Sequence, residues 1–156
     1  MANTYKKVYL HIIFAVKGRE ALISKSWREI FFRYISGIIK NKGHFSLAVN
    51  GHHDHVHMLI DYNMNELVPD LVREIKKSSS KYVKENKLSP FHFEWQAGYG
   101  AFSVGWQELP VVSQYIKNQE EHHKSRSFKD EYLSLLNQFE IEYKNEYIFD
   151  FIPNDV

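Results

Sequence analysis

Two short patterns in this sequence set chemically useful groups at spacings that regular backbone would turn to one side. The first is His55-Val56-His57. On a β-strand, residues two apart share a face, so both imidazoles would project together while Val56 and Met58 point the other way. Two neutral imidazoles side by side are the beginnings of a divalent-cation site. The second pattern is Tyr115-Ile116-Lys117-Asn118-Gln119. On a helix, residues four apart lie on one face, which would bring the phenol of Tyr115 and the amide of Gln119 together. A phenol can attack a phosphodiester to give a phosphotyrosine. Its ordinary pKa of about 10 means that it needs a base or a metal to do so at neutral pH. The carbonyl oxygen of Gln119 would suit Mg²⁺ or Mn²⁺ beside two histidines. The chain has nine histidines and ten tyrosines among 156 residues, so each pattern also arises by chance and neither identifies a function alone.

The elements that must position these groups can be read from periodicity. Val8, Leu10, Ile12, Phe14 and Val16 alternate along a first strand, which Lys17-Gly18-Arg19 breaks. Ser26 with Glu29 three residues on reads as a capping box. From it a helix buries Trp27, Ile30, Phe31, Tyr34, Ile35, Ile38 and Ile39, and Gly43 closes it. Phe45 to Asn50 reads as a second strand. Gly51-His52-His53-Asp54 is the turn into a third, His55 to Asp61. A second helix is expected from about Val68 to Lys84, with Pro69 acceptable in its first turn. Phe91 to Trp95 and Ala101 to Trp106 read as extended, with Gly98 and Gly100 between them. A third helix is expected from near Pro110 to about His122, and a short one from Glu131 to Phe139.

Strand, helix, strand, strand, helix, strand is the ferredoxin-like split βαβ order. It predicts an α+β fold: an antiparallel sheet with both helices on one face, plus an extra helix toward the C-terminus carrying Tyr115. No linker, repeat or low-complexity tract divides residues 1–156, so a single domain is expected. The apolar fraction of 44% and charged fraction of 25% are those of an ordinary globular protein, and the absence of cysteine excludes thiolate chemistry. The N-terminal apolar run is too short to span a membrane, which points to a cytoplasmic protein. A net charge of +1 is low for a nucleic-acid binder. The charge is nonetheless concentrated locally, since Arg73, Lys76, Lys77, Lys81 and Lys84 line the second helix and Lys117 adjoins the tyrosine. These six are candidate phosphate contacts, or else a solvated helix face.

Taken together, the motifs resemble those of the HUH single-tyrosine transposases of the insertion-sequence 200/605 family, which includes the REP-associated tyrosine transposases. Asp54-His55-Val56-His57-Met58-Leu59-Ile60 resembles the family's histidine motif. Ser113 to His123 resembles its nucleophile region, and Leu10 to Lys17 its first strand, so the likeness spans roughly residues 5 to 140. It implies that His55, His57 and Gln119 bind Mg²⁺ or Mn²⁺, with Tyr115 as nucleophile. It also implies cleavage and rejoining of single-stranded DNA beside hairpins through a 5′-phosphotyrosine. Homodimers are implied too, with Tyr115 acting in cis or completing the partner's site. The residues around the motifs carry simpler expectations. His52 and His53 read as turn residues, Asp54 as a turn former or an orienter of a ligand histidine, and His122 and His123 as a solvated helix end. His11, His44 and His92 read as structural.

Two other readings compete. A relative without catalysis would bind DNA or RNA hairpins as a regulator, but the histidine pair, Tyr115 and Gln119 are all present. A ferredoxin-like RNA-binding module would expose aromatics on its sheet, where this chain would present His55 and His57.

Overall fold

The computed structural model describes residues 3–152. Four strands, β1 (Tyr9–Ala15), β2 (Phe45–Gly51), β3 (His55–Asp61) and β4 (Gly100–Val104), form one antiparallel sheet in the order β2-β3-β1-β4. Helices α1 (Lys25–Asn41) and α2 (Val68–Glu85) are the two crossovers, and α3 (Leu109–Lys117), α4 (Gln119–His122) and α5 (Phe128–Gln138) follow β4. The expected ferredoxin-like α+β order is therefore present, and the central strands β1 and β3 carry the registers Ile12↔Met58, Ile13↔His57 and Ala15↔His55.

The sheet is covered on both faces. Ile12, Phe14, Val56, Met58 and Ile60 are fully buried in one core with Phe31, Ile35 and Ile39 of α1 and Leu71 and Ile75 of α2. Each such side chain is worth about 1.5–3 kcal/mol by removal from water. The alternate residues point to the other face, where Tyr9, Leu59 and Val104 pack with Ile116 of α3. Alternation along β1 is thus real but does not mark a solvent face: only Leu10 of its seven residues is less than buried. The tight β2–β3 connection depends on Gly51, because a Cβ there would collide with the carbonyl oxygen of His55.

Several boundaries differ from expectation. The N-cap of α1 is Ser24, whose hydroxyl accepts from the Ser26 amide at 3.4 Å, so Ser26 and Glu29 both lie inside the helix and form no capping box. Phe32 is buried where Ile30 was expected, and Ile30 is 52% exposed. Gly43 closes α1 with a φ of 89°, as its position suggested. Phe91 to Trp95 is not a strand. Only Trp95 bridges Val16, with the Gln96 amide donating to the Ala15 carbonyl at 2.8 Å. Trp106 likewise leaves the sheet and starts a 3-10 turn. The third helix stops at Lys117, so Tyr115 and Gln119 sit on separate helices around Asn118. The last helix begins at Phe128, three residues before Glu131.

Candidate metal and nucleophile site

β3 presents His55 and His57 on the face away from α1 and α2, and both rings are completely buried. Each ring has one nitrogen occupied from behind. Asp54 Oδ1 lies 2.7 Å from His55 Nδ1, and His11 Nε2 lies 2.8 Å from His57 Nδ1. Phe128 of α5 stacks on the His55 ring, with centroids 3.9 Å apart and planes 5° from parallel. Both orientations are set, and the two Nε2 atoms point to a shared space. Outer partners of this kind hold ligand histidines in one tautomer.

Three helices close that space. From α5, Glu131 is 1% exposed, and its Oε1 lies 2.9 Å from His57 Nε2 and 3.4 Å from His55 Nε2. From α4, the fully buried Gln119 brings Oε1 to 2.9 Å from His55 Nε2, while its amide donates to Glu131 Oε2 at 3.2 Å. From α3, the Tyr115 hydroxyl donates to Glu131 Oε2. The end of α3 is tied down by Asn50, the residue paired with His57 across β2 and β3, whose amide donates to the Ile116 and Lys117 carbonyls at 3.1 and 3.0 Å. A strand neighbour of the histidine thereby satisfies two carbonyls that a helix end leaves open.

The charges are strongly coupled. Burial alone would lower His55, but Asp54 and Glu131 outweigh it and raise it to about 9. His57 is lowered, first by burial, and His11 is lowered to about 3 by burial and then by His57. Burial opposes the ionised form of Glu131, yet His57 and the other imidazoles hold its carboxyl far below the usual range. Burial and then Glu131 push the Tyr115 phenol well up. In the resting chain Tyr115 is therefore a neutral donor to an ionised carboxylate.

Four of the residues singled out by sequence, His55, His57, Gln119 and Tyr115, converge here. Three others were not recognised. Glu131 fell at the start of an expected short helix with no pattern around it. His123 is no solvated helix end: its side chain is 5% exposed and its Nε2 lies 3.1 Å from Gln119 Oε1. His122, likewise, packs its ring on Tyr115 with centroids 4.6 Å apart. His11 is structural as expected, but what it supports is His57. Asp54 is more than a turn former, since it orients His55.

The basic residues gather elsewhere. Arg73, Lys77, Lys81 and Lys84 are exposed on α2, the helix that packs on the opposite sheet face. Lys76 is drawn inward and donates to the Gln96 and Gly98 carbonyls at 2.8 and 2.7 Å, so its ammonium serves the fold rather than a phosphate. Lys117 is exposed at the end of α3.

A ferredoxin-like sheet with a histidine pair on one face, and a tyrosine-bearing helix laid against that pair, is the architecture of tyrosine transposases. The chain belongs to the IS200-like transposases: the model of the family described as "Transposase IS200 like" matches residues 4–119. Among solved structures it is similar to a candidate transposase from Deinococcus radiodurans R1, with a TM-score of 0.59, 21% identity, and coverage of 76% of this chain and 95% of that one. It is also similar to a REP-associated tyrosine transposase bound to a REP hairpin, with a TM-score of 0.58, 13% identity, and coverage of 79% and 73%. No curated protein matches the chain. Among the described residues no helix is long and apolar enough to cross a membrane.

Proposed function

We propose that this transposase cuts and rejoins single-stranded DNA beside a hairpin, with Tyr115 as nucleophile and a divalent cation held by His55 and His57. One observation carries the reading: the Tyr115 hydroxyl is bonded to Glu131, and that same carboxylate touches both histidines of the same chain. The donor set fits a cation. The ligand atoms of His55, His57 and Glu131 lie within 4.8 Å of one another, and Gln119 Oε1 borders the same space. Two imidazoles with oxygen donors suit Mn²⁺, and the oxygens suit Mg²⁺. When bound, such an ion would polarise the scissile phosphate and neutralise the leaving oxygen.

The protein's own groups do the rest. Glu131 fixes the phenol by accepting its hydrogen bond, and it is the nearest acceptor for the proton displaced as the Tyr115 oxygen bonds to phosphorus. The bond from phosphorus to the 3′-oxygen breaks, leaving a 5′-phosphotyrosine and, once protonated, a 3′-hydroxyl. Attack by another 3′-hydroxyl reverses the step and joins strands with no external energy source. Nucleophile and histidines on one chain support a site complete within one protomer, so the homodimer implied by resemblance is not needed to assemble it. The hairpin-bound relative supports a hairpin beside the cut, with Arg73, Lys77, Lys81, Lys84 and Lys117 available to its phosphates.

The test is incubation with hairpin-bearing single-stranded DNA from beside the coding region, with Mg²⁺ or Mn²⁺, followed by denaturing gel and mass spectrometry. A chelator-sensitive adduct on Tyr115 is expected. Tight binding with no adduct would instead mark a hairpin-binding regulator.

A further inference from the structure

A cavity of about 360 Å³ opens between β4, the start of α3 and α5, with Tyr115 in its wall. The chemistry described above does not use this space. Its floor is His11, Phe102, Val104 and Glu131, which are 4%, 3%, 8% and 1% exposed. Leu135 and Phe139 make an apolar side, and the Phe139 ring lies 5.1 Å from that of Phe102 at a tilt of 36°. The exposed carboxamides of Gln107 and Gln138 stand at the rim, with the guanidinium of Arg126.

We propose that this cavity receives the base of the nucleotide whose 5′-phosphate becomes joined to Tyr115. The inference rests on Tyr115 being the nucleophile. Connectivity makes the placement specific: a phosphotyrosine retains the nucleotide on the 3′ side of the cut, and only one phosphate and one sugar separate its base from the tyrosine oxygen. The cavity wall that contains Tyr115 is therefore within reach of that base. The chemistry of the lining fits the same ligand. A base has apolar faces and a polar edge, and here aromatic and aliphatic walls lead to carboxamides that can donate and accept at the rim. The volume is at the small end for ligand pockets; it takes one nucleoside and excludes a paired duplex end. Arg126 at the mouth supplies a cation for the neighbouring backbone phosphate.

Binding can be read without any cleavage. Trinucleotides with a 5′-phosphate, carrying 2-aminopurine at the first or the second position, are titrated with the whole chain and followed by fluorescence. The first-position probe should be quenched by aromatic contact and the second should change little. Ser134→Leu, on the cavity wall, should weaken binding of the first-position probe at least about fivefold, the scale of one stacked base. If that variant melts early, Gln138→Leu at the rim applies the same block. Equal responses from the two probes, or unchanged affinity in a folded blocking variant, would overturn the proposal. Specific first-position binding alongside a failure to form any adduct would sink Tyr115 as nucleophile and leave the base pocket standing.

Discussion

The two faces of the sheet are built from the same strands and share almost nothing chemically. On one side of β3, Val56, Met58 and Ile60 join a dry core with α1 and α2; on the other, His55 and His57 meet Gln119, Tyr115 and Glu131. Both sides are buried, so burial alone does not separate core from site. What separates them is how polarity is met: the histidines, Gln119 and Glu131 are all hydrogen-bonded, and the only orphaned buried polar side-chain atom among the described residues is Nε of Arg28, outside the cluster. Buried polar groups without partners would be costly. The contrast teaches that the site is fastened to the rigid side of the molecule through every second residue of one strand.

Four changes would break or sharpen that contrast. Tyr115→Phe removes one oxygen from the polar face, and adduct formation should fall at least about a thousandfold, with hairpin affinity nearly unchanged in a filter-binding assay. Met58→Ala strikes the dry face and should cost about 2–5 kcal/mol of stability by denaturant melt, while each folded molecule keeps its cleavage rate. If Met58→Ala abolished chemistry without loss of stability, the two faces would not be separable. Asp54→Ala leaves every candidate ligand in place but frees the His55 ring, and metal affinity by calorimetry should drop about 10–100-fold. Smallest is the joint replacement of Arg73, Lys77, Lys81 and Lys84 by Ala. It should lower hairpin affinity and flatten its salt dependence, with the rate at saturating DNA unaltered.

Much of this arrangement was legible because strands and amphipathic helices leave periodic marks. The bounds of β3, the ends of α2 within a residue and the turn from Gly51 to Asp54 follow from alternation and from glycine and aspartate chemistry. The histidine pair shared a face as the period of two required. The tyrosine and glutamine did converge, though not for the reason their spacing suggested, since the helix breaks at Asn118. Glu131 and His11 left no mark: each is a lone residue brought in from a distant segment, and no local spacing encodes a tertiary contact. His123 did carry a signal that went unread, since it lies four residues past Gln119 and its ring meets that side chain. The residues from Phe91 to Trp95 misled by composition, because aromatics favoured in strands are here split between uses: Phe91 is exposed, while Phe93 and Trp95 serve the α1–α2 core, where the Trp95 ring packs edge-on to Phe14.

The position of α5 has a practical consequence for anyone trimming the gene. The recognisable family region ends at residue 119, and a fragment stopped there would still carry both histidines, the tyrosine and the glutamine. It would lack Phe128, the ring that braces His55, and Glu131, the carboxylate that binds the other groups together. Such a fragment would satisfy a motif search and fail at the bench. The shortest expressible unit must run past the matched stretch to include α5 and Phe149, whose ring packs on Phe128 and Tyr132.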